Sequence, residues 1–562
     1  MDYMKRYKEW LESDYFDEET KEELRELSDT EEIEDRFYTD LKFGTAGLRG
    51  KIGAGTNRMN KYTVALTTQG LAQTIKNKGQ EAMDRGVAIA YDVRKFSDKF
   101  AEISARVLAA NGVKTYLFDD IRTTPLLSFT VRKLNTISGI VVTASHNPRD
   151  YNGYKVYWEE GSQILDDIGD EILEEISSIE NFENIKMMDL EEALDKGLVE
   201  YIGKEIDDEY NSIRLSQAIN ENIDKDIKIV YSPLNGTGNK PVRRILKDRG
   251  FSNVFVVPEQ ENPDPNFTTA EYPNPEDPKA FEYSIALGKK KGADILVATD
   301  PDCDRVAIMV NDSNGEYVFL NGNKIGALLT NYILTSRYNN GTLSRGSAIV
   351  KSIVTGDLSK AIADKYGVET FETLTGFKYI CELPNTWDKT KEYDFIFGYE
   401  ESIGYTYGDL VRDKDAIVST MLIAEMAGYY KKQGKSLLDV LEDIYKEFGY
   451  YRERLISIVL EGIEGSRRIE RIMEDFRKNP LEEIEGLKLS KTIDYLYDET
   501  GNSKSNVLKY YLEDGSWYTV RPSGTEPKIK LYIYSKAETW EKAGKIIESI
   551  EKAFHEKMDR VK

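Results

Sequence analysis

Three times before residue 410, an apolar strand runs straight into a short polar loop. Residues 139–143 enter TASHNP (143–148), residues 295–298 enter TDPDCDR (299–305), and residues 394–397 enter GYEESIGY (398–405). Strand and helix patterns alternate around each of them. Strands at 86–91 and 114–118 and helices at 100–111 and 125–134 precede the first loop. Strands at 227–231 and 254–257 and helices at 241–247 and 279–291 precede the second. A strand at 348–353 and helices at 324–334 and 358–365 precede the third. This is an α/β rhythm, and ligands in open α/β sheets sit beyond the carboxyl ends of strands. The three loops are therefore candidate faces of one site.

The flanks differ. Residues 1–38 predict one or two exposed, Glu-rich helices, followed by a Gly-punctuated stretch at 43–55. A Pro-rich linker covers 258–275. The last hundred residues are α+β in pattern: a strand at 455–460, a helix at 467–477, and strands flanking the Asp514-Gly515 turn. The loop RPSGTEPK (521–528) follows, then a strand and a helix from about 537 to 557. A chain of 562 residues is too long for one core. The pattern predicts units at 1–206, 207–318, 319–445 and 446–562.

Charge and composition narrow the partners. A net charge of −23 repels nucleic-acid phosphates and anionic lipids, so neither is expected. A phosphate-bearing ligand needs a local basic pocket against that field. No apolar run reaches membrane-span length, and the acidic amphipathic N-terminus lacks a signal peptide's apolar core. Cys303 and Cys381 make no disulfide framework, which suits the cytoplasm.

Asp300, Asp302 and Asp304 alternate along a turn. Carboxylates that close repel unless a hard cation neutralises them, and oxygen-only ligands favour magnesium, manganese or calcium. An EF-hand needs Gly at position six and Glu at twelve, where Arg305 and Asn311 stand. A phosphatase with an aspartyl nucleophile on a D-x-D loop stays open, as does a solvated acidic turn. Ser145 lies just past a strand, with His146 beside it and Lys155 ten residues on; a plain turn serine is the alternative. No G-x-S-x-G occurs, and the other histidine is His555. In RPSGTEPK, Arg521 offers a fork for phosphate, and Ser523, Gly524 and Thr525 the makings of an anion nest. Glu400 and Glu401, with Ser402, offer acceptors that suit sugar hydroxyls. Arg49 in FGTAGLRG, Arg305, Lys378 in TGFKYI and Arg412 in VRDKDA are basic residues in polar loops.

Together these loops resemble those of the α-D-phosphohexomutase superfamily, the phosphoglucomutases and phosphomannomutases. TASHNP resembles its phosphoserine loop, DPDCDR its metal loop, GYEES its sugar loop and RPSGTEP its phosphate loop, in the family's order. GYEESIGY and TGFKYI look closest to the longer phosphoglucomutase branch that also contains phosphopentomutases. Gly404 stands where some members place a His, Asn235 where His is common, and Cys303 where small residues are usual.

The resemblance implies four domains around a central cleft, the first three with related mixed α/β sheets and the last α+β. It implies a cytoplasmic isomerase, a monomer or weak homo-oligomer, interconverting glucose 1-phosphate and glucose 6-phosphate. Mannose and pentose phosphates are alternative substrates, and a metal-dependent sugar phosphatase is a rival reading. Ser145 would carry the phosphoryl group, with glucose 1,6-bisphosphate as intermediate. Asp300, Asp302 and Asp304 would hold Mg2+, with a phosphoserine oxygen of Ser145 as a further ligand. Glu400 and Ser402 would grip sugar hydroxyls, Arg305 and Arg412 would contact substrate, and Arg521, Ser523, Gly524 and Thr525 would hold the distal phosphate. Arg49 and Lys155 would flank the transferring group, with Lys155, His146 or Lys378 as acid-base. Exclusion of water calls for domain closure, with a hinge expected near 434–449.

Overall fold

The polar loops are the tips of hairpins, because each apolar strand is followed by a partner running back beside it. Ser138–Val142 returns as Tyr151–Trp158, Ile295–Thr299 as Val306–Asn311, and Asp394–Glu400 as Gly404–Tyr407. Each outgoing strand also lies parallel to a neighbour, Val87–Tyr91, Ile229–Ser232 or Ser347–Ser352. The tip is thus fixed between a parallel pairing on one side and an antiparallel one on the other. Each tip places a non-glycine residue in left-handed backbone: Ser145 at φ 50°, Cys303 at 56° and Ile403 at 54°. That conformation costs roughly 1–3 kcal/mol and persists only where the surroundings over-determine it.

A computed structural model of the chain describes residues 3–44, 46–312, 314–497, 501, 503–523 and 527–561, and the side chain of Ile463 lies outside the description. Its strands form four sheets. The first three, of six, five and four strands, mix parallel and antiparallel pairings. The fourth is a six-stranded antiparallel sheet in which Trp517–Pro522 and Lys528–Ala537 form one more hairpin. The expected class, three mixed α/β units and an α+β unit, is what the sheets form. The boundaries expected after 206, 318 and 445 fall inside the helix Lys204–Ser216, the strand Tyr317–Leu320 and the helix Leu437–Phe448.

One buried apolar cluster runs through the first three units, from Ala88 through Tyr231 and Ile308 to Met421. It reaches only one face of the fourth, at Trp517 and Tyr534. The fourth unit has its own core, formed where Phe476 and Phe554 meet across the inner face of its sheet. Buried charge adds to the joints. Arg214, on the helix Lys204–Ser216, donates at 2.6 Å to Asp415, the N-cap of the helix Ala416–Lys431.

The structure corrects the N-terminal reading. Residues 3–37 form three helices, and their apolar faces are buried: Trp10, Phe16 and Phe37 pack around Tyr62. The Glu-rich pattern describes only their outer face. Lys61–Asn77 and Ala416–Lys431 are helices the periodicity does not show, because both are buried on nearly every side and have no polar stripe. The stretch 434–449, expected as a hinge, is mostly the helix Leu437–Phe448; Gly449, at φ 100°, joins it to the fourth sheet. Among the described residues, no helix is long and apolar enough to cross a membrane.

Candidate active site

The first hairpin tip presents Ser145, buried to 1% exposure. Its left-handed backbone is held by Thr143, whose hydroxyl accepts the Ser145 N–H at 2.8 Å while donating to Asp92 at 2.6 Å. The Ser145 hydroxyl donates to Asp300 Oδ2 at 2.7 Å, and Arg305 Nη1 donates to Ser145 Oγ at 2.7 Å. A serine from the first unit therefore meets the aspartate loop of the second.

Asp300, Asp302 and Asp304 are all buried, and each offers an oxygen within 4.8 Å of the others. Asp300 Oδ1 accepts the backbone N–H groups of Asp304 and Arg305, at 3.1 and 3.0 Å. Asp302 Oδ2 accepts from Lys155 and from the Thr124 hydroxyl, both at 2.8 Å. Asp304 Oδ1 accepts from Arg305 at 3.0 Å. Asp302 Oδ1 and Asp304 Oδ2 remain buried without a hydrogen-bond partner, although Lys414 Nζ lies 3.1 Å from the latter. Burial and the two neighbouring carboxylates push Asp300 well above the usual carboxylate range. Burial opposes, but Lys155 prevails in holding Asp302 below it. Orphaned oxygens on a buried, all-carboxylate set, one member raised by burial and by its neighbours' charge, fit a hard divalent cation.

The basic candidates separate in space. Arg49 lies on Gly47–Lys51, the strand next to Tyr151–Trp158, and donates to Asn147 in the serine loop at 3.1 Å from an exposed position. Gly47 permits that close pairing, since a Cβ there would lie 1.9 Å from the Tyr154 carbonyl oxygen. Lys155, on the return strand, reaches Asp302 at 2.8 Å and Asp304 at 3.6 Å. His146 Nδ1 is 3.4 Å from Ser145 Oγ. Burial and the nearby Arg305 and Arg49 push its imidazole down to about 2, so the ring is neutral at pH 7. Lys378 pairs with Asp166 of the first unit at 2.9 Å. The Arg412 guanidinium is taken up by Asn385, Asp388 and the Asp409 carbonyl, so that Lys414, two residues on, is the cation reaching the triad.

The sugar-loop candidates cap the third hairpin. Glu400 is buried and accepts the Gly376 N–H at 2.7 Å. Glu401 accepts from the Ser352 and Thr355 hydroxyls at 3.1 and 3.0 Å, and Ser402 is half-buried at the turn. This tip is joined to the aspartate loop directly: Arg305 and Gly404 form a β-bridge, and the Val306 N–H donates to the Ile403 carbonyl at 3.2 Å. In the fourth hairpin, Arg521 is half-buried opposite Lys530, and the Ser523 N–H donates to the Lys528 carbonyl at 2.7 Å. Gly524 and Thr525 lie outside the described residues.

Two positioning residues escape sequence reasoning. Arg94 is buried and donates to four carbonyls of the serine loop: those of Ser145, Asn147, Pro148 and Tyr151, at 2.5–3.1 Å. Its guanidinium lies 5.0 Å from the Phe267 ring, which comes from the Pro-rich linker of the second unit. Thr124, at the start of the helix Thr124–Leu134, donates its N–H to the Asp302 carbonyl at 2.9 Å as well as its hydroxyl to the carboxylate. The Asp92–Arg94 spacing in YDVRKFS is the one available signal, and it reads as two ordinary solvated charges.

Four family descriptions match the chain in order. Phosphoglucomutase/phosphomannomutase alpha/beta/alpha domain I matches residues 40–183, domain II 208–315, domain III 321–448 and the C-terminal domain 459–552. A phosphoglucomutase of Staphylococcus aureus is 39% identical over 526 residues, covering 91% of this chain and 92% of that protein. A phosphoglucomutase of Staphylococcus haemolyticus is 38% identical over 525 residues, covering 92% and 94%. Among solved structures, Paramecium parafusin, a phosphoglucomutase in its open form, superposes with a TM-score of 0.70 at 19% identity, covering 93% of this chain and 95% of that one. A Burkholderia thailandensis protein of the phosphoglucomutase/phosphomannomutase family gives 0.67 at 18% identity, covering 92% and 97%; both show a shared fold. With all four descriptions matched in sequence and relatives aligned over nearly the whole length, the chain belongs to the phosphoglucomutase/phosphomannomutase family.

Proposed function

We propose that the chain is a phosphohexomutase that interconverts glucose 1-phosphate and glucose 6-phosphate, with Ser145 as the phosphoryl carrier. The observation that carries this reading is the contact of the Ser145 hydroxyl with both Asp300 and Arg305, each at 2.7 Å. That contact joins a nucleophile, a cation-ready carboxylate set and a guanidinium. The relatives named phosphoglucomutase, at 39% and 38% identity, favour glucose over other sugars.

Asp300, Asp302 and Asp304 would hold Mg2+, with a phosphoserine oxygen as a further ligand. The metal would supply neutralisation of the phosphoserine and of charge developing on the departing Ser145 oxygen. The protein's own groups do the rest. Arg305 sits beside Ser145 Oγ, placed for the equatorial oxygens of the transferring group, where such a donor is worth about 3 kcal/mol. Lys155 and Arg49 flank the same place from the first unit. Lys155, 2.8 Å from Asp302, is the acid-base candidate that touches the triad, and His146, 3.4 Å from Ser145 Oγ, is a neutral acceptor beside the serine. Glu400 and Ser402 accept from sugar hydroxyls. Arg521 and Ser523, with Gly524 and Thr525, take the phosphate that is not reacting. Glucose 1,6-bisphosphate forms when the phosphoserine donates to a monophosphate, and it returns its other phosphate to Ser145.

The same reading makes the protein cytoplasmic, a monomer or weak homo-oligomer whose partners are small sugar phosphates. Purified protein with Mg2+ should convert glucose 1-phosphate to glucose 6-phosphate with little free phosphate released, and intact mass should show one phosphoryl group that Ser145→Ala removes. Stoichiometric phosphate release would point to a phosphatase instead. Turnover of mannose, glucosamine or ribose 1-phosphate above that of glucose 1-phosphate would move the substrate within the family.

A further inference from the structure

The Pro-rich segment 258–275 reads as a linker in the sequence, yet it bridges two loops of the site. Its foot rests on the aspartate loop. Asn235 accepts from the Thr269 hydroxyl at 2.9 Å and donates to the Asn262 carbonyl at 2.8 Å. Thr237, two residues on, donates its N–H and its hydroxyl to the Pro301 carbonyl at 2.8 and 2.9 Å. Asp264 closes the next turn, its carboxylate accepting the N–H groups of Asn266 and Thr268 at 2.9 and 3.0 Å. Phe267, 1% exposed, sits in that turn in left-handed backbone at φ 46°, a conformation a bulky residue adopts only where its surroundings impose it. Its ring centre lies 5.0 Å from the Arg94 guanidinium. The segment is thus anchored on the cation that holds the serine loop.

Beyond the anchor the chain runs YPNPEDP, residues 272–278. Pro273 disfavours helical backbone at Tyr272, and the Tyr272 carbonyl accepts the Asn274 N–H at 2.8 Å. Pro273 and Pro275 are buried, whereas Tyr272 is 43% exposed. The Tyr272 ring meets His146 edge to face, with centroids 5.9 Å apart and planes at 86°. Aromatic pairs favour that arrangement, which is worth about 0.5–1.5 kcal/mol. His146 Nδ1 is in turn 3.4 Å from Ser145 Oγ. A ring supplied by the second unit therefore abuts the imidazole that adjoins the serine of the first.

We propose that Tyr272 is a positioning residue of the phosphoryl-transfer site: the segment 258–275 is a strap that holds its ring against His146, and the ring shields the Ser145 oxygen from water. The idea rests on the mutase reading for the phosphoserine, but the contact with His146 stands independently of it. A phosphoserine open to water is lost. The water oxygen bonds to phosphorus, the bond from phosphorus to Ser145 Oγ breaks, Oγ takes a proton and inorganic phosphate leaves. Covering that place leaves the sugar hydroxyl as the acceptor.

The test uses the full chain, phosphorylated on Ser145 with glucose 1,6-bisphosphate and Mg2+, freed of sugar and followed for release of inorganic phosphate. Tyr272→Ala should release it about tenfold faster than the parent. Tyr272→Phe should stay close to the parent, because the ring and not the hydroxyl does the shielding. Thr269→Val, which cuts the tie to Asn235 far from the reacting atoms, should release phosphate about threefold faster. An unchanged rate in Tyr272→Ala, or an equal acceleration in Tyr272→Phe, overturns the proposal. If the parent takes up no phosphoryl group, the mutase reading has failed, and diethyl pyrocarbonate then decides the contact. The chain has two histidines, His146 and His555, which peptide mass spectrometry separates. Modification of His146 at pH 7 should be about fivefold faster in Tyr272→Ala, with His555 unmoved as the internal control. Equal His146 rates in parent and variant overturn the proposal.

Discussion

The serine hairpin of the first unit and the Arg521 hairpin of the fourth are fastened in opposite ways. The first is gripped from within: Arg94 spends its guanidinium on four carbonyls of its own loop, and Asp92 and Thr143 hold the residue at its tip. The fourth has a separate core and meets the third unit through an apolar contact at Trp517 and Tyr534 and a cluster of buried charge. Lys509 donates to the Ile353 carbonyl at 2.8 Å and to Glu372 at 3.3 Å, with its ammonium 4.3 Å from the Trp517 ring centre. Trp517 Nε1 donates to Asp357 at 2.7 Å, and Lys351 completes the cluster. Charges across an interface return to water when it opens, whereas Arg94 and its carbonyls lie within one unit and stay together. The serine hairpin is preorganised and the Arg521 hairpin is docked.

Substitutions can break that contrast or sharpen it. The largest effect is expected from Asp302→Ala, which should lower kcat by about 10³-fold and abolish Mn2+ binding in a metal titration. Arg94→Met should lower kcat by about 10²-fold through a displaced serine loop, with KM unmoved, and cost about 3–5 kcal/mol in urea unfolding because buried Asp92, 3.3 Å from the Arg94 guanidinium, loses its cation. Lys509→Met should do the reverse, raising KM about tenfold with kcat held, since Glu372 keeps Lys351 and only the docking weakens. Trp517→Phe should be mildest, losing one hydrogen bond worth about 1 kcal/mol and raising KM about fivefold. If Arg94→Met and Lys509→Met moved the same kinetic parameter, the two regions would not differ as described.

The outgoing strands and the tips they feed were legible in the sequence because they are short apolar runs closed by polar turns. The return strands were not: YNGYKVYW carries polar and aromatic residues on both faces, since Lys155 must point into the site while Tyr154 and Tyr157 fill the core. Ser145 and the three aspartates stood out as residue types crowded into a loop. Arg94 did not, because its partners are backbone carbonyls some fifty residues away, and a carbonyl has no letter in a sequence. Arg412 and Lys414 show the same limit. VRDKDA offers two cations, and only the packing of Asn385 and Asp388 against the first leaves the second for the triad.

The aspartate turn is touched from three sides: by Thr124 and Lys155 of the first unit, by its own strand, and by Lys414 after the third sheet. A dication seated there would be a rivet as much as a reagent, since it would bear on the seam where the first three units meet over their shared core. Chelation should loosen the molecule before it unfolds it. Brief trypsin digestion in EDTA should open cleavage points along that seam, which excess magnesium closes again.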